Sequence, residues 1–438
     1  MPIIKNYDDL NVSPERKILL DFIETALNFI QPEQVFSKNI KLNDNILQIK
    51  DDQYDLNNYS NIYLLGFGKG SAENSKLLES LLGERLTAGY IIDLSANATH
   101  QALQAGTTEQ AFNKIQFTPG THPVISQQNV DFTMDAIGKL SNLTEKDLVI
   151  VVVCGGGSAM FEHPHSISLD QKIAVEKALL KSGADITEMN IVRQHLSDVK
   201  GGGLAQILYP AHVATIIYSD VIGNDIRYIA SGPTVKNDTT IDDAVNIINK
   251  YNLSEQINLP RESFIDNPHD DKYFANVTNT IVLSNTTVLD ALEEKAKELN
   301  INCTRYSDKI NGTVKDVAQE LISKLELSGI LIAAGETTVE VKGNGKGGRN
   351  QETCLEALKI IDENTLFSSI GTDGWDFTES SGAIADNIAK QKATEQNLNI
   401  DEYLENNDSF TFFEKVNSQV ITGRLSSNVA DFMIVWKR

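Results

Sequence analysis

The chain has 438 residues, 38 of them Lys or Arg and 60 Asp or Glu, so its formal charge is -22; 41% are hydrophobic and 22% charged. That balance excludes disordered, collagen-like and coiled-coil classes, and so acidic a surface repels nucleic acid and anionic lipid. The length exceeds the roughly 250–300 residues at which one core stops growing, so two domains are expected.

In chain order, Ser13 as N-cap, Pro14 at the first helical position and Leu19, Phe22, Ile23, Ala26, Leu27 and Ile30 on one face predict a helix over 13–30. Ile62–Leu65 reads as a strand and 70–82 as a helix. Leu148–Val153 (L-V-I-V-V-V) and Val213–Tyr218 are continuous apolar runs, the pattern of strands buried on both faces, with a helix around Ile173–Leu180 between them. This alternation predicts an α/β layer fold with a mostly parallel sheet. Residues 237–275, rich in Asn, Asp and Ser, read as a connecting stretch with one short helix near Asp242–Lys250. A second α/β series then begins at about residue 276, with strands at Ile281–Leu283, Ile330–Ala333 and Leu366–Ile370 and a helix lined by Val288, Leu289, Leu292, Ala296 and Leu299. The expected domains are 1–245 and 276–414, with 415–438 free to return to the first.

Cys154, Cys303 and Cys354 are too few and too scattered for a disulfide framework or a zinc site. No basic segment followed by an apolar run marks the opening residues, and glycines, Pro210 and His212 interrupt the longest uncharged stretch, so neither a secretory signal nor a membrane span is expected.

Four segments carry candidate chemistry. G-F-G-K-G-S (Gly66–Ser71) lies between a strand and a helix, where backbone N–H groups can face an anion. It matches neither the Walker A loop nor the dinucleotide fingerprint, and a tight turn with a solvated Lys69 is the plain alternative. G-G-G-S (Gly155–Ser158) follows a buried strand at the sheet edge where α/β proteins bind ligands. The densest segment, Glu188–Thr234, gathers Asn190, Arg193, His195 and Lys200 beside a second glycine triplet, and places Asp220 just past a strand end. Singly, each has a structural reading: solvated helix charges, a satisfied histidine, a helix cap. Farther on, Gly343–Asn350 (G-N-G-K-G-G-R-N) opens a helix at Arg349, which suits phosphate or carboxylate capture, and Asp373 follows another strand in G-T-D-G.

Taken in order, G-x-G-K, G-x-H-P (Gly120–Pro123), G-G-G-S-A, E-x-N-x-V-R-x-H-L-S-x-x-K-G-G, S-D-V-x-G, A-S-G-P-T, G-G-R-N-x-E and T-D-G resemble the glycerate 2-kinase family, whose second domain is called MOFRL. The resemblance runs from about Leu64 to Val435. The chain departs from the pattern at Asn224-Asp225, where two aspartates are usual, at Cys154 in place of serine, and at Gly423-Arg424-Leu425 in place of Gly-Pro-Thr.

The resemblance implies two α/β domains, a larger Rossmann-like N-terminal domain and a smaller MOFRL-type C-terminal one, with the active site in the cleft between them. It implies an ATP-dependent kinase that phosphorylates the 2-hydroxyl of D-glycerate with a divalent metal, Mg2+. Lys69 and Arg349 match family positions tied to catalysis. Asp220 and Asp373 are the candidate carboxylates; Asp220, with Asp225 nearby, reads as metal-linked and Asp373 as the group that orients or deprotonates the hydroxyl. Ser158, Asn190, Arg193 and Lys200 are assigned to the substrate. Gly66, Gly68, Gly155, Gly156, Gly157 and His195 are assigned to the nucleotide. A cytoplasmic enzyme follows, with no nucleic-acid or membrane partner, and a homodimer is compatible with it. The competing readings are a hydroxypyruvate reductase, against which the missing dinucleotide fingerprint argues, a kinase of another small 2-hydroxy acid, and a non-catalytic metabolite-binding protein.

Overall fold

The computed structural model describes residues 2–94, 112–254, 256–325 and 328–438. The chain divides into two compact units, one of Phe36–Val282 and one of Met1–Val35 with Leu283–Arg438.

In the first unit, β1 (Ile40–Asn43), β2 (Ile46–Ile49) and β3 (Asp52–Asp55) form a small antiparallel sheet. The main sheet contains β4 (Asn61–Phe67), β5 (Ala88–Leu94), β6 (Ile115–Gly120), β7 (Asp147–Val153), β8 (His212–Tyr218) and β9 (Val277–Leu283). Their order is β6-β5-β4-β7-β8-β9, and the first five run parallel. Every residue of β7 is buried, because helices cover both faces of a parallel sheet. One face packs Leu65, Phe67, Val149, Val151 and Val153 against Phe132, Phe161 and Leu204. A separate apolar cluster joins the helices Leu169–Lys181, Ile186–His195 and Ile241–Lys250 through Val175, Leu179, Met189, Val192, Ile247 and Ile248.

The order reverses at β4: the chain steps outward through β5 and β6, then returns to β7 on the other side. The carboxyl ends of β4 and β7 therefore flank the crevice where open α/β sheets bind ligands.

The second unit has a mixed six-stranded sheet. Its strands are β10 (Cys303–Ile310), β11 (Gly329–Gly335), β12 (Thr365–Gly371), β13 (Gly382–Ala385), β14 (Gln419–Val420) and β15 (Asp431–Lys437), in the order β10-β11-β15-β12-β13-β14. Only β10 and β11 pair in parallel; β15 is antiparallel to both its neighbours.

These divisions differ from the expected boundaries in three places. The 237–275 stretch is part of the first unit, since the helix Ile241–Lys250 buries Ala244, Ile247 and Ile248 in that unit's core. The strand expected to open the second series is β9, which flanks β8 in the first sheet. The N-terminal helix Pro14–Phe29, capped by Ser13, belongs to the second unit, where the fully buried Arg16 grips Asp386 through Nε (2.7 Å) and Nη2 (2.9 Å). The C-terminal strand stays in the second unit at the centre of its sheet.

Candidate active site

Two turns meet at the switch point of the first sheet. The N–H of Lys69 donates to the Gly155 carbonyl at 2.8 Å and that of Cys154 to the Phe67 carbonyl at 3.0 Å, which ties the end of β4 to the end of β7. Gly68 has φ +104°, and a Cβ there would stand 2.3 Å from the Cys154 carbonyl oxygen, so only glycine allows the two turns to touch.

Gly155 serves a different contact. A Cβ on it would stand 2.3 Å from Oδ2 of Asp220, so the bare backbone is what admits the Asp220 carboxylate from the end of β8. Gly156 faces the His122 ring. The His122 imidazole is pushed down to about 4, by burial first and then by the positive charge of Lys69, so it is neutral at neutral pH. Lys69, His122 and Asp220 thus gather on one glycine-lined loop. Among the described residues Lys69 has no ion-pair partner. The G-x-H-P motif was visible in the sequence, but nothing there connected His122 with Lys69.

Ser158 joins this region through its hydroxyl, 3.1 Å from that of Ser231. Ser231 donates in turn to Oδ1 of the buried Asn190 at 2.7 Å. Ala230 and Ser231 have φ of +49° and +62°. Two consecutive side-chain-bearing residues in the left-handed region store strain, which the surrounding hydrogen bonds hold in place. The N–H groups of Gly201 and Gly202 donate to the carbonyls of Ser231 and Gly232 at 3.0 and 2.8 Å, and Gln194 Nε2 donates to the Ser231 carbonyl at 3.3 Å.

Several expected site residues are engaged elsewhere. Lys200 is buried, with Nζ 2.9 Å from Glu162 Oε2 and 2.9 Å from the Phe161 carbonyl, and Lys172 shares the same carboxylate at 3.3 Å. It braces the loop after β7 and is removed from any substrate surface. Both ring nitrogens of His195 are bound within the protein, Nδ1 to the Ile265 carbonyl (2.8 Å) and Nε2 to the Thr239 hydroxyl (3.0 Å), and burial holds its pKa down. It is a structural histidine with no edge left for a nucleotide. Asp225 is held by Arg227 through Nε (2.9 Å) and Nη2 (2.5 Å), a partner that a metal would have to displace. Gly66 lies inside β4 against Ile91 and Ser75, a packing position. Asn190 is buried, its Oδ1 accepting from Ser231 and its Nδ2 donating to the Ile186 carbonyl. Arg193 pairs with Glu176 at 3.3 Å, and its buried Nε has no hydrogen-bond partner among the described residues.

Both helix N-termini that the sequence offered to anions are filled by the chain's own carboxylates. Asp93 Oδ2 accepts from the N–H groups of Gly70 (2.9 Å) and Ala72 (3.0 Å). Asp376 accepts from those of Asn350 (3.1 Å) and Gln351 (2.9 Å) at the start of the helix Arg349–Ile360. Burial raises the Asp376 carboxyl, and the amides of Gln351 and Asn350 oppose that rise. Neither aspartate had a motif to mark it, since each reaches its helix from another part of the chain.

In the second unit, a cavity of about 290 Å3 is lined by Arg349, Asp373, Trp375, Asp376, Arg424 and Asp431, among others. Arg349 extends from the helix start between two carboxylates. Its Nε lies 2.5 Å from Asp431 Oδ2, and its Nη2 lies 3.0 Å from Glu336 Oε1. Burial pushes the Asp431 carboxyl up to about 7, with Arg349 opposing it. Asp373 keeps one carboxylate oxygen on the Trp375 N–H at 3.0 Å.

Among the described residues, no three His, Cys, Asp or Glu side chains are placed to share a metal ion. Among the described residues no helix is long and apolar enough to cross a membrane.

Residues 18–263 match the family described as a domain of unknown function, DUF4147, and residues 329–431 match the MOFRL family. The chain is 33% identical to a glycerate 2-kinase of Picrophilus torridus, covering 99% of each chain. It is 31% identical to a D-glycerate 2-kinase of Thermotoga maritima, over 96% of this chain and 97% of that one. The crystal structure of a glycerate kinase from Thermotoga maritima superimposes with a TM-score of 0.84 at 28% identity, covering 96% of this chain and 99% of that one.

Proposed function

The chain belongs to the glycerate 2-kinase family that joins a DUF4147 segment to a MOFRL segment, and on that premise we propose that it transfers the γ-phosphoryl group of ATP to the 2-hydroxyl of D-glycerate, giving 2-phospho-D-glycerate and ADP. The observation that carries the reading is the gathering of Lys69, a neutral His122 and Asp220 on the glycine-lined loop at the switch point.

Phosphoryl transfer asks the protein for positioning and for charge matched to the transferring oxygens. We assign that charge to Lys69 and Arg349. Lys69 extends from a turn whose main chain is tied to the Gly155 loop, so its side chain starts from a fixed root. Arg349 is held by Asp431 and Glu336, which fix its plane and leave part of its fork for a ligand. Asp373 is assigned to the substrate hydroxyl, to orient it and take its proton. Ser158, oriented through Ser231 and Asn190, and Arg193 are assigned to the glycerate hydroxyl and carboxylate. Asp220 would hold Mg2+, which when bound with ATP neutralises charge on the phosphates. All three cysteines are free thiols, which suits a reducing compartment, and we assign the enzyme to the cytoplasm; a homodimer is compatible with this reading.

The test is incubation with D-glycerate, ATP and Mg2+, following ADP release and coupling the product directly to enolase, which accepts the 2-phosphate and not the 3-phosphate. ADP release without an enolase signal would exclude the 2-hydroxyl as acceptor. NADH oxidation with hydroxypyruvate would favour the reductase instead.

A further inference from the structure

Arg424 is a second arginine bordering the cavity that holds Arg349 and Asp373. Its guanidinium lies over the Trp375 ring, 4.1 Å from the centroid. The turns that carry the two residues are locked together. The Leu425 N–H donates to the Asp373 carbonyl at 2.8 Å, and a Cβ on Gly374 would stand 2.0 Å from the Gly423 carbonyl oxygen. Stacking on a flat ring fixes the guanidinium plane, so less entropy is lost when its N–H edge binds a ligand.

Most of the neighbouring charged groups are already engaged, and Asp373 accepts from the Trp375 N–H. Arg349 is shared by Asp431 and Glu336, and Asp376 is taken by two backbone amides. Arg424, by contrast, has no acceptor within hydrogen-bond reach among the described residues. The Lys5 ammonium lies against Gly423 beside it. Two cations beside one turn, neither with an acidic partner among the described residues, in a chain of net charge -22, mark a place for an anion. The position is also where the resemblance leads one to expect proline, so the cation is this chain's own.

We propose that the Arg424–Trp375 pair is a docking platform for the polyphosphate of the nucleotide, a proposal that rests on the kinase reading. Arg349 and Arg424 both line this cavity, so a ligand that engages both cations needs more than one anionic group, as linked phosphoryl groups supply and a monocarboxylate does not. A guanidinium presents two parallel donors to phosphate oxygens, and losing a charge-assisted pair of this kind lowers affinity about tenfold or more.

The experiment uses the full chain and inorganic tripolyphosphate. Trp375 is one of two tryptophans, and the other, Trp436, is 8% exposed. Tripolyphosphate should change the tryptophan emission saturably in the parent protein. Arg424→Ala should raise the midpoint about tenfold, Arg424→Lys should raise it less, and Trp375→Phe should abolish the signal. In steady state, Arg424→Ala should raise the KM for ATP about fivefold or more and leave that for D-glycerate unmoved. No emission change in the parent at millimolar tripolyphosphate, or an unchanged midpoint in Arg424→Ala, overturns the platform. So does a rise confined to the KM for D-glycerate. Binding through Arg424 without glycerate phosphorylation would overturn the kinase reading and leave the platform; phosphorylation with an unmoved ATP KM in Arg424→Ala would do the reverse.

Discussion

The backbone N–H of Lys69 donates to the carbonyl of Gly155 at 2.8 Å, so the one lysine of the first glycine turn is positioned by the second. The ends of two adjacent parallel strands are thereby held as one surface, and the ammonium leaves it from a fixed root. The bond involves only main-chain atoms, so side-chain changes at position 69 leave the anchor intact.

Lys69→Ala should therefore abolish charge without loosening the turn. Removing one preorganised donor to a transition-state oxyanion costs about 3–4 kcal/mol, so kcat should fall about 10²–10³-fold. The thermal unfolding midpoint should stay within a few degrees of the parent. A kcat unchanged in a folded variant would refute the role.

Gly155→Ala acts through Asp220. Its added methyl would stand 2.3 Å from Oδ2, so the carboxylate must move away from the loop. Activity should fall at least about tenfold, each factor of ten being about 1.4 kcal/mol of lost transition-state stabilisation. Circular dichroism should remain that of the parent. Full activity would show that the position of Asp220 is unimportant.

The buried triad of Glu162, Lys172 and Lys200 predicts an asymmetry. Burial alone would raise the Glu162 carboxyl, but the two ammonium groups hold it below the usual carboxylate range. Glu162→Gln leaves two buried cations facing each other and should cost about 3–5 kcal/mol of stability, whereas Lys200→Met leaves a balanced Glu162–Lys172 pair and should cost distinctly less. Chemical denaturation of both variants decides it, and equal losses would contradict the charge argument.

His122 titrates at about 4 in the fold against 6.5 for an unperturbed imidazole. As pH falls below 6.5 the unfolded chain takes up this proton before the folded one does. The stability that His122 contributes is therefore complete above 6.5 and is lost progressively as pH falls towards 4. Denaturant unfolding across that window should give a shallower pH slope in His122→Asn than in the parent; parallel curves would remove the neutral imidazole from the account.

Asp220→Asn and Asp373→Asn should separate metal binding from proton handling. High Mg2+ or Mn2+ should partly restore Asp220→Asn at saturating D-glycerate and leave Asp373→Asn depressed, because an ion can compensate for a weakened ligand but not for a missing base. Equal rescue of both, or of neither, would remove this division.

What the sequence determined by itself was every feature written in consecutive residues. Ser13-Pro14 with a spaced apolar face marked the first helix, and L-V-I-V-V-V marked a strand buried on both sides. The glycine turns at Gly66–Ser71 and Gly155–Ser158 identified the loops, and the motif order identified the family. Tertiary structure decided which polar group each of those loops would face. Lys200, His195 and Asp225 carry the residue types of a ligand site, yet each had a partner within the chain: Glu162, Ile265 with Thr239, and Arg227. Asp93 and Asp376 carry no local signal, yet each fills a helix N-terminus that the sequence left open. The reason is that a buried donor or charge must be satisfied by something, and the satisfying group is chosen by proximity in the fold. The same rule divides the N-terminal segment from the residues that follow it. Helix periodicity predicted an amphipathic Pro14–Phe29, but tertiary contacts, among them the buried pairing of Arg16 with Asp386, 370 residues away, assigned it to the second unit.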